Sequence, residues 1–337
     1  MIPRNKEKIK SKNEKKEKTS QAAKWQLHKA DACRMAGKMA GAGFAKRAER
    51  MLMCGNDLIF ERCPDCGYIA LKRAYLCRDR LCPLCAWRLS IKRYAAMQKI
   101  LSAAIERYPD DTYALITLTC QNIASDNLKK YLSEMQEAWR YVISQRWVRT
   151  RLRGWARSIE VTFNRNTGEL HPHYHVLVQA PMLKIAEGFI DEWLVQCSQH
   201  GIRATKAAQN IQKIKYDDEA GDSLAGAVCE VYKYMIKTSD ALEMPIGKLK
   251  DLANGISGKR LISMGGCLKT ISKDLQLEEL DEPDNKDEDT KLCLKCGSRM
   301  IDELALRWAC AGGRYIASSS DIQSAIDAAA EGRLKVD

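Results

Sequence analysis

Long apolar runs and histidine are both scarce in this 337-residue sequence. No stretch reaches the roughly 18 to 20 apolar residues that a helix needs to cross a bilayer. The start of the chain, MIPRNKEKIK, lacks the apolar core of a secretion signal. We therefore expect a cytoplasmic protein without a membrane partner. A hydrophobic content of 45% is still enough to bury the core of one large domain with smaller attachments.

Acidic residues are outnumbered: 43 Asp and Glu stand against 55 Lys and Arg, so the formal net charge is +12. This excess favours an anionic partner, because each phosphate that a cation neutralises releases condensed counterions. Nucleic acid is the leading candidate. Part of the excess lies in the run from Lys6 to Lys18, and residues 1–22 are predicted to form a disordered basic tail.

The chain has 14 cysteines, and in a reducing cytoplasm metal binding or burial is expected for them rather than disulfide bonds. Two CxxC pairs, Cys63–Cys66 and Cys82–Cys85, have the spacing of a structural zinc site, in which four thiolates close the coordination shell. We predict that these four cysteines bind one Zn²⁺. Cys54 and Cys77 are alternative ligands.

Basic residues follow this cysteine-rich segment closely. A basic amphipathic helix is predicted from about residue 86 to residue 107, and it must stop before Pro109. We predict contacts with DNA phosphates from five side chains: Arg78, Arg80, Arg88, Lys92 and Arg93. A solvated charged surface is the alternative interpretation.

The middle of the chain alternates strands with helices. The patterns predict strands at 113–120, 155–163, 171–180 and 210–216, and helices from residue 128, at 184–199 and at 224–238. The segment NRNTGEL favours a turn between the second and third of these strands, so the two should form a hairpin. The fold class is therefore predicted to be α+β, an antiparallel sheet flanked by helices.

Composition divides the chain into segments around this middle part. Residues 23–108 are predicted to bind zinc and DNA, and residues 109–280 to form the main domain. Residues 281–291, DEPDNKDEDTK, are predicted to be an acidic linker. In the C-terminal segment 292–337, the pair Cys293–Cys296 is followed only by Cys310, which predicts an incomplete zinc ribbon.

Three of the five histidines, His171, His173 and His175, occupy alternate positions of one predicted strand. The period of two along a strand places them on one face, with Tyr174 on the other. Two imidazoles at positions i and i+2 can bind one divalent ion. His171 ranks below the other two, because it precedes Pro172 and can equally serve the turn. A solvated histidine-rich edge is the alternative interpretation.

Glu160 is the acidic residue on the polar face of the preceding strand. A two-residue turn at Asn166 and Thr167 would place Glu160 opposite His173, and a bulge would shift it towards His175. One carboxylate and two imidazoles suit Mg²⁺ or Mn²⁺ with open positions for phosphate oxygens, and zinc also fits.

The predicted helix at 224–238 also carries a candidate reactive group. Its apolar stripe is formed by Leu224, Val228, Val231 and Met235. Tyr234 projects away from this stripe and shares a face with Glu230 and Lys237. Lys237 can favour the phenolate of Tyr234 or hold a phosphate, and Glu230 can act as a general base. An exposed amphipathic helix with an ordinary Glu-to-Tyr contact is the alternative.

These motifs together resemble the replication initiators of rolling-circle plasmids, which belong to the HUH endonucleases. The first family motif looks like LITLTCQN at 115–122, the metal motif like HPHYHVLV at 171–178, and the tyrosine motif like EVYKYMIK at 230–237. The segment at 76–93 is similar to the family's cysteine-rich region. The resemblance spans about residues 54–237 and leaves the acidic linker and the C-terminal cysteines without a counterpart.

The resemblance implies an HUH-endonuclease-like nicking domain. It implies that His173 and His175 are the ligands of the catalytic metal, for which the residue types favour Mg²⁺ or Mn²⁺, and that Tyr234 is the nucleophile. It also implies that Glu230 replaces the second tyrosine found in some relatives. The metal ligands outside the histidine motif vary among HUH subfamilies, so the resemblance leaves the role of Glu160 open.

The function implied by the resemblance is to nick plasmid origin DNA, single-stranded at the nick site, through a phosphotyrosine intermediate. The nick leaves a 3′-hydroxyl that a host polymerase can extend while a host helicase unwinds the parent strand, and the enzyme later closes the strand. Two alternatives remain open. One is a relaxase or transposase of the HUH type, and the other is a non-catalytic zinc protein that binds DNA and regulates transcription.

Overall fold

The computed structural model describes residues 21–182, 184–214, 226, 228, 231, 238–277, 292–293, 295–300, 302–310 and 312–317. These residues form two compact units. The small unit comprises residues 21–32, residues 53–76 and the described residues from 292 to 317, and the large unit comprises residues 33–52 and the described residues from 77 to 277. Among the described helices, none has the length and apolar character needed to cross a membrane.

The strands are, in chain order, β1 (Asp57–Arg62), β2 (Ile69–Ala74), β3 (Thr112–Thr119), β4 (Gly154–Phe163), β5 (Leu170–Ala180), β6 (Asn210–Ile214), β7 (Ile262–Gly266), β8 (Asp302–Ala309) and β9 (Arg314–Ala317). The helices are α1 (Gln21–Gly41), α2 (Ala45–Met53), α3 (Pro83–Arg107), α4 (Leu128–Ser144), α5 (Arg146–Arg151), α6 (Lys184–Gln199), α7 (Thr238–Glu243), α8 (Ile246–Gly255) and α9 (Cys267–Asp274).

The large unit is built around an antiparallel sheet with the strand order β6-β3-β5-β4-β7. One face of this sheet is closed by aromatic side chains. Trp139 of α4 lies 5.0 Å from Trp155, 5.7 Å from Tyr174 and 5.5 Å from Phe189, measured between ring centroids. Trp139 and Trp155 pack edge to face, and the other two pairs are tilted at 59° and 57°; aromatic contacts of this kind add to the free energy of burial. Helices α4 and α6 therefore seal this face against water.

The opposite face of the same sheet is apolar at one end. Strand residues there pack against helices α3 and α9 in one buried cluster, which includes Met97, Ile100, Tyr113, Leu115, Ala156, Leu177, Leu268 and Ile271. Val228 and Val231 belong to the same cluster. The predicted apolar stripe of the helix at 224–238 is thus confirmed at these two residues, while Leu224 and Met235 lie outside the described part.

The small unit contains a second antiparallel sheet, with the strand order β2-β1-β8-β9. Strand β8 pairs with β1 along its length, with Leu304 opposite Phe60. The two compact units divide the chain differently from the boundaries predicted by composition. The C-terminal segment is not a domain of its own, and residues 23–108 are divided between the two units. The predicted basic tail and acidic linker lie outside the described residues, except that α1 already begins at Gln21.

The predicted α+β class with an antiparallel sheet is confirmed. The predicted strands at 113–120, 155–163 and 171–180 agree with β3, β4 and β5, and the predicted helix at 184–199 agrees with α6. Strand β7 was not predicted, because its sequence ISMGG has weak strand propensity. The structure gives a reason for one of these glycines: a Cβ at Gly265 would lie 2.4 Å from the Trp155 ring.

Candidate active site

The register of the β4–β5 hairpin brings Glu160 opposite His173 and Ser158 opposite His175. This is the first of the two predicted pairings. Directly opposed residues of an antiparallel pair point to the same face of the sheet. The carboxylate of Glu160 and both imidazoles therefore emerge on one side, away from the aromatic face.

The connection that sets this register is longer than the expected two-residue turn Asn166–Thr167. The Asn164 N–H donates to the carbonyl of Glu169 at 2.9 Å, which leaves a four-residue loop centred on the same two residues. The Asn164 side chain accepts hydrogen bonds from the backbone of Asn166 at 3.0 Å and Thr167 at 3.3 Å. The Asn164 side chain thus provides a hydrogen-bond acceptor for two backbone N–H groups of the loop, and the predicted register is kept.

Three potential ligand atoms converge at this point. Oε2 of Glu160 lies 3.2 Å from Nε2 of His173 and 2.9 Å from Nε2 of His175, and the two nitrogens are 3.1 Å apart. Ligands about 2.1 Å from an octahedral ion lie about 3.0 Å from each other at neighbouring positions. The three separations therefore fit one face of an octahedral divalent ion.

Contacts on the other side of each ring direct these nitrogens inward. Nδ1–H of His173 donates to the backbone carbonyl of His171 at 3.3 Å, and Nδ1 of His175 lies 3.5 Å from Oγ1 of Thr117. A ring that is protonated at Nδ1 presents a lone pair at Nε2, as a metal ligand must. A divalent ion between the two rings and the carboxylate would be bound by these two lone pairs.

The Glu160 carboxylate is buried, and its second oxygen, Oε1, has no hydrogen-bond partner among the described residues. Burial by itself would raise the pKa of Glu160. When the rings of His173 and His175 are protonated at Nε2, their hydrogen bonds to Glu160 and their charge outweigh burial and hold the pKa of Glu160 well below its ordinary value. A buried carboxylate that stays ionised and has a spare oxygen is a suitable ligand for a divalent cation.

His171 takes a different position from the other two histidines. Its Nδ1 lies 2.7 Å from Oδ1 of Asn122, and its ring is not part of the group of converging ligand atoms. Burial, followed by the charge of the neighbouring His173, lowers the pKa of His171. The structure therefore places His171 beside the candidate metal site, where its backbone carbonyl orients the His173 ring.

The tyrosine motif cannot be placed directly, because Glu230, Tyr234 and Lys237 lie outside the described residues. Its neighbour Val231 is buried in the apolar cluster, together with Leu177 of β5. Leu177 lies two residues beyond His175 on the same strand and therefore on the same face. Val228 and Val231, which precede Tyr234 in sequence, thus pack on the sheet face that carries the candidate metal site.

The cysteines predicted to form one zinc site are divided between two groups. Cys63 and Cys66 lie with Cys293 and Cys296 in the small unit, where all four sulfur atoms are within 4.8 Å of one another. The prediction of a single site shared with Cys82–Cys85 is therefore wrong. The prediction of an incomplete C-terminal ribbon is also wrong, because an earlier CxxC pair completes the group and the exposed Cys310 is not part of it.

In the large unit, the sulfur atoms of Cys77, Cys82 and Cys85 lie within 4.8 Å of one another, and all three residues are buried. Cys82 precedes helix α3, and Cys85 lies in its first turn, where the positive end of the helix dipole stabilises thiolates. Sequence reasoning treated Cys77 only as an alternative ligand, although it lies 3.6 Å from Cys85 between sulfur atoms.

The loop that carries these cysteines is held by Asp79. The Arg47 guanidinium donates to both carboxylate oxygens of Asp79, at 2.7 and 2.9 Å. Asp79 in turn accepts a hydrogen bond from the backbone of Leu81 at 3.0 Å. Arg47 of α2 and Asp79 therefore fix the approach of the chain to Cys82.

The five basic residues predicted to contact DNA differ in exposure. Arg93 is buried, and Arg80 donates to the backbone carbonyls of Ile256 at 2.9 Å and Lys259 at 2.7 Å. Arg93 therefore does not fit the predicted phosphate contact, whereas Arg80 is exposed and uses one guanidinium nitrogen in these two hydrogen bonds. Arg78 is exposed, and Arg88 and Lys92 are partly exposed.

The sequence matches a family model described as Replication protein over residues 68–316. Protein rep of Lentilactobacillus hilgardii is 31% identical over 274 residues, which cover 78% of this chain and 85% of that protein. Protein rep of Streptococcus pneumoniae serotype 2 is 32% identical over 241 residues, covering 70% of this chain and 74% of that protein. No solved structure matches the chain. The chain therefore belongs to the replication protein family, which confirms its predicted relationship to the initiators of rolling-circle plasmid replication.

Proposed function

We propose that this protein starts rolling-circle replication by nicking one strand of its plasmid origin, with an HUH-type metal site next to a nucleophilic tyrosine. The observation that carries the proposal is the convergence of Glu160, His173 and His175 within 3.2 Å of one another. Support also comes from the position of Val231, because the chain reaches Tyr234 only three residues later.

Glu160, His173 and His175 would hold the divalent ion, Mg²⁺ or Mn²⁺. A bound ion there supplies Lewis-acid polarisation of a phosphate oxygen. The buried surroundings strengthen every electrostatic interaction made within the site. Oε1 of Glu160, which has no partner among the described residues, is available as a further ligand atom.

Tyr234 would attack the scissile phosphorus through its phenolate oxygen, and the bond from phosphorus to the 3′ oxygen would break. The products are a 5′-phosphotyrosyl enzyme and a free 3′-hydroxyl. The proton of Tyr234 passes to solvent, and the departing 3′ oxygen takes one up. Lys237 would favour the phenolate, and Glu230 would serve as general base for the later strand closure, which a tyrosine bound to DNA cannot perform.

Recognition of the origin would involve the segment around Cys77, Cys82 and Cys85. Three thiolates leave one position of a four-coordinate zinc ion for a fourth ligand. The exposed Arg78 would contact DNA phosphates from this segment. Host polymerase and helicase would then act on the nicked origin.

The test is covalent capture of DNA by the full-length protein. The protein is incubated with Mn²⁺ and a labelled single-stranded oligonucleotide from its own plasmid origin, and the mixture is boiled and separated on a denaturing gel. We expect a protein–DNA band that requires the metal, disappears in Tyr234→Phe and remains in the matched control Tyr232→Phe. A band that persists in Tyr234→Phe would show that another residue is the nucleophile.

The same experiment distinguishes the remaining functions. Tight binding of origin DNA with no covalent band under any metal would favour a non-catalytic regulator. Covalent capture that requires a transfer-origin or transposon-end sequence, and fails with the replication origin, would favour a relaxase or transposase.

A further inference from the structure

The four cysteines of the small unit form a compact group outside the candidate active site. The sulfur atoms of Cys63 and Cys296 are 3.4 Å apart, as are those of Cys66 and Cys293. A disulfide bond is excluded at these separations, since it requires about 2.05 Å. Four thiolates placed about 2.3 Å from a tetrahedral zinc ion lie about 3.8 Å from one another. The group therefore has the size of a zinc-tetrathiolate site.

The first pair of cysteines lies in a tight turn between β1 and β2. The Cys63 N–H donates to the carbonyl of Tyr68 at 2.8 Å, and the Gly67 N–H donates to the carbonyl of Cys63 at 3.0 Å. Gly67 has a φ of 71°, a conformation that L residues with a side chain rarely adopt. This turn brings the sulfur atoms of its two cysteines onto the same side.

The second pair has the same local structure, although it comes from the other end of the described chain. The Cys293 N–H donates to the carbonyl of Ser298 at 2.7 Å, the Gly297 N–H donates to the carbonyl of Cys293 at 2.9 Å, and Gly297 has a φ of 74°. A bridge between Leu292 and Arg299 closes this turn. The two turns thus share the sequence pattern CxxCG, the same two hydrogen bonds and a glycine with positive φ. The thiols of one turn face the thiols of the other.

Few buried side chains pack around the two turns. The buried cluster at this end of the small unit consists of Cys63, Tyr68, Cys293 and Met300. Cys66 and Cys296 are exposed, so burial of thiols as small hydrophobic side chains does not account for their position. Small structures with so little apolar core are commonly stabilised by a bound metal.

We propose that Cys63, Cys66, Cys293 and Cys296 bind one structural Zn²⁺ as four thiolates. Four Zn–S bonds form, and the four thiol protons leave to solvent. The ion links turns whose cysteines are as much as 233 positions apart in sequence, and it thereby secures the C-terminal strands β8 and β9 to β1. The C-terminal CxxC pair is thus half of a discontinuous zinc ribbon.

The first test measures zinc per chain in the full-length protein after removal of loosely bound metal. Cys63→Ser/Cys66→Ser and Cys293→Ser/Cys296→Ser should each lose one zinc relative to the wild type, and the quadruple variant should also lose only one. Cys310→Ser, the control, should lose none. A loss of two zinc ions per chain in the quadruple variant would overturn the proposal. Zinc content equal to that of the wild type in both double variants would also overturn it.

A second measurement uses the wild-type chain and so does not depend on the folding of variants. Cysteine alkylation is followed by mass spectrometry with and without a zinc chelator. The exposed Cys66 and Cys296 should react at least about tenfold more slowly when zinc is bound, because a coordinated thiolate is a weak nucleophile, whereas the exposed Cys310 should react equally fast in both states. Equal reactivity of Cys66, Cys296 and Cys310 with zinc present would contradict the proposal.

Discussion

The two sides of strand β5 serve opposite purposes. His173 and His175 point to a buried polar group with Glu160, whereas Tyr174 between them is fully buried among aromatic rings. The period of two along a strand keeps the two sides separate although their residues alternate in sequence. The aromatic side can therefore provide stability while the histidine side holds a group of potential metal ligands.

The largest effect expected from this comparison is on the histidine side. Glu160→Gln keeps the shape of the side chain and removes its charge, so Mn²⁺-dependent nicking should fall by about a thousandfold or more, since a catalytic metal contributes several kcal/mol and each 1.36 kcal/mol is a factor of ten. The nicking rate with the origin oligonucleotide measures this loss. Thermal unfolding of the metal-free protein should change little. Glu169→Gln in the same hairpin is the control and should nick normally, and normal nicking by Glu160→Gln would remove the carboxylate from the ligand set.

On the aromatic side, Trp139→Ala should lower the free energy of unfolding by about 3 to 5 kcal/mol, because it leaves a cavity between Trp155, Tyr174 and Phe189. Denaturant unfolding followed by circular dichroism measures this change. Tyr141→Ala removes an exposed ring from the same helix and should cost less than about 1 kcal/mol. Equal costs for the two variants would mean that the aromatic face does not stabilise the fold.

A smaller effect is expected at the boundary of the metal site. Thr117→Val removes the hydroxyl that lies 3.5 Å from Nδ1 of His175, and loss of such an orienting partner should weaken Mn²⁺ binding about tenfold. Isothermal titration with Mn²⁺ measures the affinity. Thr119→Val, opposite His173 on the same face, is the matched control and should bind Mn²⁺ as the wild type does. A similar loss of Mn²⁺ affinity in both variants would mean that a change in strand β3, and not the loss of the Thr117 hydroxyl, weakens binding.

The smallest expected effect is on stability, and it comes from the Tyr174 hydroxyl on the aromatic side of β5. The Tyr174 hydroxyl is buried without a hydrogen-bond partner among the described residues, and burial raises the pKa of Tyr174 to about 12. Tyr174→Phe removes a polar group that costs free energy to bury, so stability should be unchanged or about 1 kcal/mol higher. Unfolding midpoints in urea measure the change, and metal affinity should stay the same. A clear loss of stability would mean that the hydroxyl has a favourable contact.

The candidate metal site was largely predictable, because its geometry depends on local rules. The spacing of His173 and His175 places both on one face, and the turn centred on Asn166–Thr167 aligns Glu160 with His173. The same reasoning failed for Arg93, whose burial depends on how helix α3 packs and not on its own sequence pattern. The segment with Tyr234 was predicted as a helix, and its nucleophile remains a prediction.

By itself, the sequence determined the family, the central hairpin and the identity of the candidate metal ligands, since strand periodicity and turn register act over a few residues. Only the tertiary structure decided how the cysteines are grouped. CxxC spacing shows that two thiols can share a metal, but it carries no information about which distant pair completes the site. That choice follows from the pairing of β8 with β1, two strands that are far apart in the sequence, and no local pattern records this contact.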